Sequence, residues 1–204
     1  MMRDFTNATH AEVAAAVCAA LQEKHINATM SGGGCVTIYS DNKYLSKDLD
    51  FVDSSRLPRT EILEALKPLG FTLNDRYFRH PTTEIYLEFP PGPLTAGDTI
   101  LTPFEFVSEH GPIRMLSPTD SVKDRLAAWF HWNNSGQSLY QALLVVVSQP
   151  TVNLREIRRW SESEGCAEHY RFFAKLLDAV LSNGLNEDEI SQKATMFKLK
   201  QRKR

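Results

Sequence analysis

Two aspartates one residue apart, Asp48 and Asp50, enter an apolar pair, Phe51 and Val52. In an extended strand residues i and i+2 point the same way, so both carboxylates share one face while Leu49 and Phe51 take the other into a core. Such a pair suits a divalent cation. Mg2+ prefers oxygen ligands at about 2.0–2.1 Å, commonly one or two carboxylates with phosphate oxygens and water, which brings a nucleoside triphosphate within reach. A third carboxylate would complete a two-metal site, with one ion at the attacking oxygen and the other at the leaving pyrophosphate. Glu88 is the candidate, because it lies near the end of a run in which Ile85, Leu87 and Phe89 alternate with Glu84, Tyr86 and Glu88. Glu84 shares that face, nearer the start of the run. Alone, an Asp-x-Asp pattern is more often a pair of solvated charges on an edge strand.

The second feature is Gly32, Gly33 and Gly34, directly after a strand-like stretch at Ala28, Thr29 and Met30. Glycines let backbone N–H groups approach a phosphate closely, above all where a helix begins. By themselves they more often mark a turn. The run is neither a G-x-G-x-x-G fingerprint nor a Walker A loop, since no Lys-Ser or Lys-Thr follows at the required place.

Other elements must position these groups. Thr9 and Glu12 have capping-box spacing, and the run 11–24 places Val13, Val17, Cys18, Ala20 and Leu21 near one face of a first helix. Residues 47–52 read as a short strand, and Thr60 starts a helix that Pro68 and Gly70 end. Strands follow at 76–79 and 83–89, then a hairpin, 104–107 with 113–116, around Glu109 and Gly111. Ser117, with Pro118 and Asp120 behind it, caps a helix reaching about His131. Helical patterns continue at 138–147, 154–163, 168–181 and, capped by Asn186, 187 to about 194. The fold class expected is α+β: a mixed sheet flanked by helices over residues 1–116, then a helical C-terminal region, 117–204, packed on it.

The bulk properties fit this organisation without naming an activity. A chain of 204 residues holds one sizeable core with a helical appendage rather than two large domains. Hydrophobic residues make up 42% and charged residues 24%, as in an ordinary globular protein, and the net charge of −2 removes any global attraction to nucleic acid. The basic character is local, in Lys198, Lys200, Arg202, Lys203 and Arg204. Cys18, Cys35 and Cys166 lack the paired spacing of a zinc site or disulfide framework. No apolar run approaches the roughly 20 residues of a membrane span and no signal peptide is evident, so no membrane association and a cytoplasmic location are expected.

Taken in order, Ser31, Gly32 and Gly33, then Ser46, Lys47, Asp48, Leu49, Asp50 and Phe51, then the acidic strand ending at Glu88, resemble the nucleotidyltransferase superfamily. The closest likeness is to the minimal nucleotidyltransferases of the abortive-infection AbiEii type, whose signature contains a Ser-x-Asp-x-Asp stretch like Ser46 to Asp50. The resemblance covers roughly residues 10–135. It implies transfer of a nucleotidyl group from a nucleoside triphosphate to a hydroxyl on a tRNA, a protein or a small molecule, with Mg2+ or Mn2+. Asp48, Asp50 and Glu88 would hold the metal, and with Lys123 would form the catalytic set. Ser31, Gly32, Gly33, Ser46, Lys47, Lys123 and Arg125 would face the nucleotide. The AbiEii likeness also implies a toxin with a cognate antitoxin.

Three departures from the family pattern stand out. The third acid is Glu88 rather than aspartate, residues 35–40 favour strand where the family has a helix, and Asn133 and Asn134 supply no acid after the lysine. They motivate a second expectation, a catalytically inactive binding or regulatory module on the same scaffold. Trp129, Phe130 and Trp132 read as packing residues before base-stacking ones. His131 reads as a partly exposed structural histidine, and Arg155, Arg158 and Arg159 as a solvated helix face.

Overall fold

The computed structural model describes residues 3–132, 136–184 and 186–201. Asn133, Asn134, Arg202, Lys203 and Arg204, singled out above, lie outside the described residues. The chain divides into two compact units: Met1–Thr95 with Ile100–Ser117, and Ala96–Thr99 with Pro118–Arg204.

The first unit is built on a seven-stranded mixed sheet. Its strands are β1 (Ala28–Ser31), β2 (Asp48–Asp53), β3 (Thr72–Asn74), β4 (Tyr77–His80), β5 (Thr83–Glu88), β8 (Phe104–Ser108) and β9 (Gly111–Met115), ordered β3-β4-β5-β2-β1-β9-β8. The pairs β1–β9 and β2–β5 are parallel and the remaining neighbours antiparallel. The period-2 reading of the carboxylate strand holds residue by residue. Leu49 and Phe51 are fully buried, and Asp48 and Asp50 are half-buried on the opposite face. On β5, Ile85 and Leu87 are buried beside them, and on β4 Phe78 is.

Three helices belong to this unit: α1 (His10–Glu23), α2 (Gly32–Tyr39) and α3 (Arg59–Leu66). The Thr9 hydroxyl accepts the Glu12 N–H at 3.2 Å, which caps α1 as its spacing predicts. The helix buries Val13, Ala14, Val17 and Leu21. A 3-10 turn at Lys67–Leu69 ends α3, and Gly70 follows it with φ +105.

Helix α2 departs from the strand preference of residues 35–40. Val36, Thr37 and Ile38 are β-branched, yet Cys35, Val36, Thr37 and Tyr39 are buried in helical form, and the Tyr39 hydroxyl donates to the Leu116 carbonyl at 2.5 Å. Tertiary packing overrides local propensity here. A short ribbon, β6 (Thr95–Ala96) with β7 (Thr99–Ile100), lies between β5 and β8 in the chain.

The second unit holds α4 (Pro118–His131), α5 (Gln137–Ser148), α6 (Leu154–Ser163), α7 (Ala167–Asn183) and α8 (Glu187–Gln201). Trp129 is fully buried in an aromatic cluster with Phe130, His169, Phe172 and Phe197. Trp132, read as a packing residue, is instead 72% exposed. Helix α8 runs beyond the expected end near Ala194 because Phe197 stacks on Phe172, with centroids 4.3 Å apart. The tip of the ribbon is clasped in this unit, where Glu164 accepts the Asp98 N–H at 3.2 Å.

Candidate active site

The first unit brings Asp48, Asp50 and Glu88 together. One ligand oxygen from each lies within 4.8 Å of the others, the spread of a shared cation shell. The sheet order produces this. In the parallel β2–β5 pair Asp50 stands opposite Glu88 and Asp48 opposite Tyr86, so the three acids rise from adjacent strands on one face. Asp53, on the same strand, points to the other face and is nearly fully buried. Its oxygens accept the Ser55 N–H at 2.8 Å and the Leu57 N–H at 2.6 Å, which makes it a turn-holding residue.

The start of α2 closes on this carboxylate strand. Ser31 is opposite Asp50 in the antiparallel β1–β2 pair and occupies the helix N-cap position. Gly32 has φ +70, and a Cβ built on it would stand 2.6 Å from Asp50 Oδ2. A Cβ on Gly33 would stand 2.7 Å from Ser46 Oγ. The glycines therefore permit a close approach, in addition to a left-handed residue at position 32.

Ser46 is a buried fixture of the site. Its hydroxyl donates to Asp48 Oδ1 at 2.9 Å, its N–H donates to Thr37 Oγ1 at 3.0 Å, and its carbonyl lies 2.6 Å from His10 Nε2. Helices α1 and α2 thus orient the first carboxylate through one serine, in the way outer partners orient metal-binding groups. Lys47, placed with the nucleotide by the resemblance, is exposed, and its carbonyl accepts the Tyr86 N–H at 3.3 Å.

Arg76, Tyr77 and Tyr86, to which the sequence reading assigned no role, border the acids. Arg76 Nε lies 3.4 Å from Glu88 Oε1, and its Nη2 donates to the Tyr77 hydroxyl at 2.6 Å. That hydrogen bond first, and the Glu88 charge second, raise the guanidinium pKa. The Tyr86 phenol is pushed up by desolvation and then by the nearby Asp48 charge. The available signal was that 76–79 and 83–89 both read as strands. What the sequence lacks is the register that sets Tyr77 opposite Glu88.

Lys123 and Arg125 lie in the second unit and have carboxylate partners there. The Lys123 ammonium, nearly fully buried, is 2.9 Å from Asp120 Oδ1 and 2.5 Å from Glu156 Oε1. Desolvation lowers its pKa, but the hydrogen bonds to Glu156 and Asp120 outweigh it and the net shift is upward. Arg125 Nη2 is 2.7 Å from Asp124 Oδ2. His131 Nε2 is 3.6 Å from Glu164 Oε2, and Arg155, Arg158 and Arg159 are exposed. Among the described residues no helix is long and apolar enough to cross a membrane.

No family model and no curated protein matches the chain. Among solved structures it is similar to an antigenic nucleotidyltransferase-like protein from Paracoccidioides brasiliensis, with a TM-score of 0.52 and 16% identity, covering 90% of this chain and 91% of that one. It is also similar to the antibiotic-resistance factor ANT(2'')-Ia in solution, with a TM-score of 0.48, 14% identity and coverage of 85% and 97%. The crystal structure of ANT(2'')-Ia with adenylyl-2''-tobramycin gives 0.47, 14%, and coverage of 76% and 92%. At such identities the likeness is one of fold, and the first of these carries it. The chain has a nucleotidyltransferase-like fold, an α+β mixed sheet flanked by helices and followed by a helical C-terminal region.

Proposed function

We propose that the chain is a Mg2+-dependent nucleotidyltransferase, moving a nucleotidyl group from a nucleoside triphosphate to a hydroxyl acceptor. The observation that carries this reading is the convergence of Asp48, Asp50 and Glu88 within 4.8 Å beside the glycine-bearing start of α2. Three carboxylates concentrate negative charge that a divalent cation neutralises, and they fit Mg2+ or Mn2+ by their hard oxygen donors. A bound cation would supply charge stabilisation for the attacking and leaving oxygens. Ser46 holds Asp48 in its rotamer. Gly32 and Gly33 let the start of α2 close on Asp50 and Ser46, which sets a helix N-terminus, a place that favours anions, beside the acids. The nucleotide roles of Lys47, Lys123 and Arg125 rest on the family resemblance alone.

Incubating the protein with Mg2+, an α-labelled triphosphate and cell extract should label an acceptor, and the labelling should vanish in the Asp48→Ala/Asp50→Ala variant. Undiminished labelling in that variant would remove the assigned site. Tight Mg2+–triphosphate binding without transfer would instead identify the inactive binding module. The AbiEii likeness of Ser46 to Asp50 extends the proposal to a toxin held by a cognate antitoxin. Growth arrest on expression, relieved by the same double variant, is the result expected of it.

A further inference from the structure

The three acids have unlike neighbours on their two sides within the first unit. Toward β1 lie Gly32 and Gly33. Toward β4 lies a cluster of two tyrosines and two arginines on the same sheet face. The Tyr77 and Tyr86 rings meet edge to face with centroids 4.9 Å apart. The Arg79 guanidinium sits over both, 5.6 Å from one centroid and 4.8 Å from the other, and Arg76 lies 4.9 Å from the Tyr77 centroid. Both arginines are exposed and both tyrosines half-buried. Asp75, at φ +58, makes the tight turn that sets Arg76 beside Glu88.

We propose that this cluster is the acceptor platform, and that the acceptor is a single-stranded nucleic acid with a free terminal hydroxyl. The inference rests on the nucleotidyltransferase reading. With the triphosphate on the glycine side, the leaving pyrophosphate departs toward the start of α2, and an in-line hydroxyl must arrive from the β4–β5 side. There its oxygen bonds to the α-phosphorus and the bond to the bridging oxygen breaks. Pyrophosphate leaves with the electron pair, and the hydroxyl proton passes to Glu88 or to water beside it.

What that side offers is guanidinium groups lying over tyrosine rings. Bases stack on tyrosine and arginine with little regard to sequence, and two cations track the phosphates. Glu88, paired with Arg76, and the exposed Asp75, whose charge also acts on Arg76, bring the net charge of the cluster near zero. Stacking therefore outweighs long-range attraction, and the salt dependence should be shallow, a log–log slope of about −1.4 for two phosphate contacts on a single strand. A polycationic acceptor would instead meet Arg76 and Arg79 across its path.

The experiment is fluorescence anisotropy of the full chain with a labelled single-stranded RNA and DNA of equal length, in Mg2+, across a salt series. Mg2+–ATP binding is followed separately by calorimetry. Wild type should bind a single strand. Arg79→Ala and Tyr86→Leu should each weaken that binding roughly fivefold or more, the lower end for loss of one stacked base. Tyr86→Phe should retain it, and Mg2+–ATP affinity should stay within about twofold in Arg79→Ala. Mg2+–ATP binding with no strand bound, or with strand binding indifferent to Arg79→Ala and Tyr86→Leu, overturns the platform and leaves the transferase reading standing. Strand binding without Mg2+–ATP binding overturns the acceptor role together with that reading.

Discussion

Replacing Gly32 by alanine separates two reasons for having glycine there. The first is conformational: φ is +70, and an L side chain in the left-handed region costs about 1–2 kcal/mol. The second is spatial, since the new Cβ would stand 2.6 Å from Asp50 Oδ2, and ordinary contact begins at 3.4 Å. The carboxylate oxygen must then retreat by about 0.8 Å, far outside the tolerance of a Mg2+ shell with ligands at 2.0–2.1 Å. Gly165 supplies the control. It has φ +72 with nothing within 4 Å of its built Cβ, so Gly165→Ala carries the same backbone strain and no collision.

Both variants should therefore lose about 1–2 kcal/mol in the denaturation transition of the unit that holds them. Only Gly32→Ala should weaken Mn2+ binding, measured by electron paramagnetic resonance titration, by about tenfold or more, the equivalent of losing about 1.4 kcal/mol. Equal Mn2+ affinity in wild type and Gly32→Ala would refute the reasoning, because it would show that Asp50 Oδ2 contributes nothing to the cation site.

Three further outcomes follow from single side chains. Ser46→Ala removes the 2.9 Å hydrogen bond to the Asp48 carboxylate, leaving the backbone bonds and the Tyr86 phenol in place, so transfer activity should fall about 10–100-fold with the melting temperature little changed. His169, its pKa lowered from 6.5 by burial among aromatic rings and then by the Lys198 charge, is held neutral in the fold. Stability from this group is present above pH 6.5 and is lost as pH falls below it, and His169→Phe should flatten that slope in acid denaturation of the helical unit. Cys18, pushed by desolvation from 9.0 to about 11, should react with iodoacetamide at pH 8 about a hundredfold more slowly than an unperturbed thiol, read by mass spectrometry.

Much of the fold is legible where a period is long enough to count. Strand β2 declares itself because Leu49 and Phe51 alternate with two aspartates, and α1 because a cap precedes its apolar face. Helix α2 is not legible, since three glycines and three β-branched residues argue locally against a helix. What holds it is burial of Cys35, Val36 and Tyr39, information that resides in distant elements. The ribbon β6–β7 is two residues per strand, too short to show any period. At the site, the acids are visible from their faces, whereas the Arg76–Tyr77–Glu88 grouping needs the order β4-β5-β2, which no local pattern encodes. The extension of α8 to Gln201 likewise depends on Phe197 finding Phe172 in another helix.

The places where the chain breaks local rules show where it is constrained by something other than folding. Each glycine in α2 weakens a helix by about 1 kcal/mol relative to alanine, and one left-handed residue would be enough to make the turn from β1. Gly33 and Gly34 have no positive φ, so backbone conformation does not require them. Space does: Cβ atoms on them would stand 2.7 Å from Ser46 Oγ and 2.8 Å from Leu49 Cδ2. The helix start is thereby drawn against the strand that carries Asp48 and Asp50, which sets its N–H groups and dipole beside a cluster of carboxylates. For folding alone that juxtaposition of charge gains little that a buried apolar pair would not supply. For a cation held by the acids and a phosphate held at the helix start it places both partners of the reaction on one edge. Asp53 supplies the contrast within the same strand, since its oxygens are spent on the Ser55 and Leu57 amides. One short strand thus carries an aspartate that holds a turn and two that meet a third acid from the neighbouring strand, and Gly32 is cut to fit against Asp50.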